Sequence, residues 1–252
     1  MLILNRPLLF FIVTFLLLWL AAWIGMILRS RRKQFSENMR SDYSVIVGAT
    51  LTLLGLLIGF TFSMATTRYD MRKTLEEEEA NAIGTEYTRL DFLPAQDSGR
   101  LQVLLRQYTG LRIRFYTTRD QTDLQRIEAE TSKIQSQLWT TVAGAAKLQP
   151  SPLSALASSG MNDVLNAQGY TQAAWWNRIP IAAWILMFLI AALSNLLLGY
   201  GMHAKVTALS VILPLAVSIS FFLIADIDSP RRGVIRIQPQ NLYALADSLK
   251  PQ

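Results

Sequence analysis

The chain has 252 residues, of which 51% are apolar and only 17% charged, too few charges for an ordinary soluble domain. It has no cysteine and a single histidine, His203, which excludes disulfides, thiolate metal centres, cysteine nucleophiles and a histidine-based zinc site. A net charge of +6 would suggest nucleic acid in a soluble protein. Here much of the excess flanks long apolar runs, so the bilayer accounts for it and no nucleic-acid partner is expected.

Residues 7–28, 43–67, 179–202 and 206–225 contain no Asp, Glu, Lys or Arg. Each matches the roughly 20 apolar residues that a spanning helix needs. The first reads as an uncleaved span, because its apolar run exceeds that of a signal peptide and passes into RSRRK (29–33) without a small-residue cleavage site. The expected architecture is an all-α membrane protein with four transmembrane helices arranged as two hairpins. Residues 1–67 form the first hairpin, 68–178 a helical extramembrane domain, 179–225 the second hairpin and 226–252 a C-terminal tail. Four spans place both termini and the extramembrane domain on one face. The first hairpin turn, 29–42, carries Arg29, Arg31, Arg32, Lys33 and Arg40, and such short basic loops favour the cytoplasmic side. The opposite face carries Arg6, Arg68, Arg72, Lys73, Arg178, Arg231, Arg232 and Arg236 close to span ends, so charge leaves the orientation open.

Within 68–178 the periodicity predicts helices over 68–93, 100–117, 121–148 and 153–168. Residues 68–93 follow the second span without a Gly or Pro break, so the span is expected to continue as one rod. Its inner face is expected at Met71, Leu75, Ala82, Ile83, Tyr87 and Leu90. PAQDSG (94–99) reads as the terminator of that rod. Thr122, with Asp123 behind it, reads as the start of the third helix. Trp175 and Trp176 stand where an interfacial aromatic belt belongs. The one β-like stretch is GVIRI, 233–237.

Candidate chemistry is sparse. Glu76 and Glu79 of the EEEE run (76–79) share a helix face. Four adjacent acids nevertheless point around most of a helix, and Arg72 and Lys73 stand at pairing distance, so a solvated, salt-bridged face is expected. Gly48, Thr52, Gly55 and Gly59 form a smooth stripe on the second span. It suits close helix packing, or a narrow pore in which Thr52 and Ser63 offer hydroxyls and Phe62 an apolar constriction. Asn195 in the third span is expected to bond to another helix. No span carries an internal charge, which weighs against proton pumps, voltage sensors and ion-coupled transporters, although not against a passive pore. No metal site, catalytic residue or cofactor motif is expected. The final stretch, ADIDSPRRGVIRI (225–237), reads as a membrane-exit turn built by Asp228, Ser229 and Pro230, with Gly233 redirecting the chain.

Two hairpins around a helical block, EEEANAIGTEY (77–87) on the rod and ADIDSPRRGVIRI after the last span together resemble the bacterial bestrophin-like family, a group of four-span membrane proteins. Glu79, Asn81, Asp228, Pro230 and Gly233 carry that resemblance. It implies remote kinship with bestrophins, which are pentameric, ligand- or calcium-gated channels, mostly for anions. A homo-oligomeric ion channel or pore in the inner membrane is the function implied, with the second span (Gly48, Thr52, Gly55, Gly59, Phe62, Ser63) lining the conduit. The alternative is a membrane-anchored scaffold or sensor whose helical domain binds a partner protein. The resemblance puts the helical domain and both termini in the cytoplasm, against the charge of loop 29–42. Calcium gating does not carry over, because only Asp226 and Asp228 stand where bestrophins hold an acidic cluster, and two arginines follow them.

Overall fold

Four stretches of the computed structural model are helical and apolar over a length sufficient to cross a membrane: Pro7–Arg29, Met39–Phe92, Pro152–Gly201 and Ser210–Asp228. The structure describes residues 6–30, 37–202 and 209–250. Expectations resting on Arg31, Arg32 and Lys33, and on His203, Ala204 and Lys205 of the second hairpin turn, lie outside the described residues. The helices are α1 (Pro7–Ser30), α2 (Glu37–Arg89), α3 (Ala95–Thr117), α4 (Gln121–Leu148), α5 (Pro152–Trp176), α6 (Ile181–Gly201), α7 (Leu209–Asp228) and α8 (Gln240–Ser248). No strand occurs among the described residues. The second span and the rod are thus one 53-residue helix, as the unbroken junction predicts.

The chain divides into two compact units, one made of Met1–Thr67 and Arg178–Ile235, the other of Arg68–Asn177 and Arg236–Gln252. In the first, α1 packs against α6 and α7. Phe10 meets Trp184 edge-on at 5.3 Å between ring centroids, and Trp184 meets Phe221 at 6.1 Å. Where α1 crosses α6 the main chains touch. A side chain at Gly25 would strike the backbone of Leu196 and Tyr200, and one at Gly199 the backbone of Ala22. This is small-residue packing of the kind expected of α2. Among the described residues, however, a Cβ at Gly48, Gly55 or Gly59 meets no atom within 4 Å. Asn195 is fully buried, and its amide bonds within α6, to the Ala191 carbonyl at 2.8 Å. The bond to another helix is therefore not made by its Nδ2, and its Oδ1 has no hydrogen-bond partner among the described residues. Pro214 lies inside α7. Ile12, Leu16, Trp23, Ile185, Leu189, Ile212 and Ile219 remain exposed, an apolar surface that water would not tolerate on this scale.

The second unit buries Ile83, Leu101, Leu105, Tyr108, Ile127, Leu138, Val142, Met161, Val164 and Leu242 in one core. Several helix boundaries differ from expectation for local reasons. α3 begins at Ala95, because Pro94 stands at the N-cap rather than in the interior and Asp97 favours the first turn. α4 is capped by Asp120, one residue pair ahead of the expected Thr122, its carboxylate accepting from the amides of Thr122 and Asp123. α5 is opened by a Ser151–Ser154 capping box and runs to Trp176 through Gly169, a glycine cost of about 1 kcal/mol that a packed face absorbs. Trp175 is not interfacial: it is buried against Phe115 and Tyr116 at 5.0 and 5.4 Å. α7 continues to Asp228, so Asp226 and Asp228 end a helix instead of following one.

The α1–α6 crossing predicts that Gly199→Ala, which drives a methyl into the Ala22 main chain, destabilises the first unit by about 1–3 kcal/mol. A lowered thermal midpoint of the detergent-solubilised protein is the readout, while Gly59→Ala in the same assay is expected to be close to neutral.

Candidate functional site

The rod face that packs inward is charged. Arg72, Glu76, Glu79, Ile83, Glu86 and Leu90 recur at four- and three-residue steps and are all buried. The expected apolar face is displaced from this one: Met71 is 52% exposed, while Ile83 and Leu90 do lie inside. The expectation of a solvated EEEE run holds for Glu77 and Glu78, which are exposed, and fails for Glu76 and Glu79, at 1% and 0% exposure.

Each of the first three buried charges has a designated partner. The Arg72 guanidinium donates to the carbonyls of Ala174 (3.1 Å) and Asn177 (2.9 Å) at the C-terminal end of α5, where the helix dipole favours a cation. Glu76 does the converse for α8, accepting from the Leu242 amide at 2.9 Å and the Asn241 side chain at 2.7 Å. Glu79 pairs with Arg112 of α3 and accepts from the hydroxyls of Tyr116 (3.3 Å) and Thr171 of α5 (3.2 Å). Arg112 also lies over the Phe115 ring, 4.3 Å from its centroid. Burial opposes the charge on Arg112, but the adjacent Glu79, together with Tyr108 and Tyr116, more than offsets it and the pKa is raised. Burial foremost, and then the charge of Glu79, raise the phenol pKa values of Tyr108 and Tyr116, keeping both hydroxyls neutral.

Glu86 is different. It is fully buried and neither carboxyl oxygen has a hydrogen-bond partner among the described residues. A side chain on Gly160 of α5 would collide with it and with Arg89. Burial pushes its pKa up to about 8, with nearby Arg89 pulling it down and Asp163 pushing it further up.

In the first unit, Asp226 and Asp228 build a corner. Both oxygens of Asp226 accept from main-chain amides, Val234 at 2.7 Å and Ile235 at 2.8 Å. These bonds hold GVIRI as a turn return instead of a strand. A side chain at Gly233 would meet the Asp226 carbonyl at 2.5 Å, which is why a residue without one is needed there. Asp228 accepts from the Ile179 amide at 3.2 Å and faces Arg178 at 3.5 Å, fastening the end of α7 to the entry of α6. Pro230 is half-buried in the same turn and Asn81 is exposed on the rod. Of the stripe on α2, Gly48, Thr52, Gly55, Gly59, Phe62 and Ser63 are all exposed. The buried positions of that segment are Leu54, Thr61 and Ala65.

A family model described as the bestrophin-like domain matches residues 9–242. The chain belongs to the bestrophin-like family. Its fold is that of a bacterial bestrophin homologue from Klebsiella pneumoniae, with a TM-score of 0.66 at 17% identity over 94% of this chain and 95% of that one. A point variant of that homologue aligns at 18% identity and a TM-score of 0.63 over 94% and 95%. No curated protein sequence matches. The bestrophin-like chain is therefore a multi-pass integral membrane protein of channel type. Within it the corner carboxylates direct their oxygens to amides of their own chain. No group of three or more His, Asp or Glu residues able to hold a metal ion occurs among the described residues.

Two outcomes follow for the buried charges. Glu79→Gln leaves the Arg112 cation buried without its counter-charge and is expected to cost about 3–5 kcal/mol. Adding Arg112→Met should restore much of the loss in a melting experiment. Glu86 has its folded pKa raised, so protons bind more tightly to the native than to the unfolded state. Its contribution is fully present below the ordinary carboxylate range, falls as pH rises, and is lost once pH passes about 8. Glu86→Gln should flatten that decline in a series of thermal midpoints from pH 4 to 9.

Proposed function

We propose that the protein is a homo-oligomeric ion-conducting pore of the inner membrane, a pentamer by resemblance to bestrophins, in which the membrane portion of α2 lines the conduit. The single observation that supports this is the outward face of α2. Gly55 and Gly59 open onto free space and Thr52, Phe62 and Ser63 are exposed, whereas Gly25 and Gly199 already supply the tight helix contact inside the chain. Small residues leave room for a permeating ion, Thr52 and Ser63 offer hydroxyl oxygens, and Phe62 supplies an apolar constriction. The charge-free runs 7–28, 43–67, 179–202 and 206–225 hold no acid or base of the kind that couples transport to protons. Glu79, Asn81, Asp228, Pro230 and Gly233 serve as structural positions of the assembly in this reading and not as ligands. The bilayer and permeating ions are the partners it needs. Catalysis has no part in it. The helical unit and both termini face the cytoplasm in this proposal, as the family resemblance implies.

Purified protein is expected to form one discrete ring and to pass current in planar bilayers. Gly55→Leu should lower the unitary current several-fold while leaving the ring intact. A stable monomer, or a ring with silent bilayers, would reject the pore. The absence of native cysteines allows single reporter cysteines, and one on the exposed face of α4 should be labelled only from the cytoplasmic side.

A further inference from the structure

At the end of the first unit where α1 finishes and α2 begins, a cleft of about 640 Å³ opens between α1, α2 and α6. Its volume lies within the roughly 300–1,000 Å³ typical of small-molecule sites. Its polar lining comes from Arg29, Arg40, Tyr43 and Ser44. Its apolar lining comes from Val47 and Leu51, further along α2, together with Leu198 of α6. The order along α2 matters. From Arg40 to Leu51 the axis advances about 16 Å, at 1.5 Å per residue, and over that distance the lining changes from cationic, through hydroxyl-bearing, to aliphatic. Arg29 is oriented at the same end by the Tyr200 ring, with its guanidinium carbon 5.9 Å from the centroid, and Tyr43 stands 6.1 Å from that ring.

We propose that this cleft binds an anionic glycerophospholipid, its phosphate between Arg29 and Arg40 and an acyl chain along Val47 and Leu51. Two guanidinium forks match phosphate oxygens better than they match any neutral headgroup. An aliphatic wall running from them toward the membrane interior suits a ligand that is anionic at one end and hydrocarbon at the other. A second copy of this chain is the rival occupant, and charge argues against it. Copies in a cyclic membrane oligomer sit at equal depth, so a neighbour would bring its own Arg29 and Arg40 to this level, like charge against like. Gly48 also lines this cleft, which puts it at the lipid end of the small-residue stripe and leaves Thr52, Gly55 and Gly59 to the conduit. The lipid site does not depend on conduction.

The test uses the full chain in neutral detergent, offered equal amounts of phosphatidylglycerol and phosphatidylcholine and read by native mass spectrometry. A several-fold preference for phosphatidylglycerol is expected. Arg29→Gln with Arg40→Gln should bring the two lipids to parity, and phosphatidylglycerol should raise the thermal midpoint of the wild type while inorganic phosphate does not. Equal uptake of the two lipids by the wild type overturns the proposal, as does a double variant that keeps the preference. An equal thermal shift from inorganic phosphate reduces the site to a phosphate site and overturns the lipid reading. If the double variant fails to fold, the wild-type competition decides alone.

Discussion

The buried pair of Glu79 and Arg112 is the constraint around which the helical unit is organised. Neither charge has access to water, so each requires the other, and Glu79 further requires Tyr116 and Thr171. Desolvating two ions costs several kcal/mol apiece, and only good geometry with additional hydrogen bonds offsets it. That need fixes how α2, α3 and α5 face one another, because a rotation of any one helix strands a charge. Such a device contributes less net stability than an apolar core of equal volume, but it narrows the alternatives.

The same helix face extends this logic to helix ends. Arg72 stands at the C-terminus of α5 and Glu76 at the N-terminus of α8, so two charges on one rod satisfy main-chain groups that would otherwise be orphaned in the interior. In the first unit, Asp226 and Asp228 act likewise, closing the loop after α7 and securing the entry to α6. A recurring strategy emerges: carboxylates at the ends and crossings of helices hold backbone amides. Residues that resemble a cation site in the sequence are thereby engaged in geometry. Glu86 is the exception, an acid kept neutral by burial against α5, and it gives the unit its one strongly raised carboxyl among the described residues.

The membrane unit divides its small residues by task. Gly25 and Gly199 let α1 and α6 touch backbone to backbone, whereas a Cβ at Gly48, Gly55 or Gly59 of α2 would meet no atom within 4 Å among the described residues. An open small-residue face on a spanning helix is suited to something outside the subunit, and a conduit shared among copies is the reading that fits the family. Toward the end of α1 and the start of α2, Arg29 and Arg40 take the place of glycines, and the surface there suits the lipid phosphate proposed above.

Helix content and span count were legible in the sequence because charge-free runs of 20 residues have one stable solution in lipid, a helix that satisfies its own backbone. The continuity of α2 and the 121–148 bounds of α4 were legible for similar local reasons: unbroken periodicity and sharp punctuation. The buried rod face was not. An apolar search selects Met71 and Leu75, since charged residues count as outward unless a partner is known, and the partners of Arg72, Glu76 and Glu79 lie from 33 to 166 residues away. Trp175 was misread for the same reason, resembling an interfacial residue until its contacts with Phe115 and Tyr116 are in place. The sequence by itself determined which segments are helical and which can enter lipid, because those properties depend on neighbours within a few turns. Only the tertiary structure decided which charges are interior and which glycines are crossings, because a charge becomes bearable in the interior only when a distant chain segment brings its counterpart.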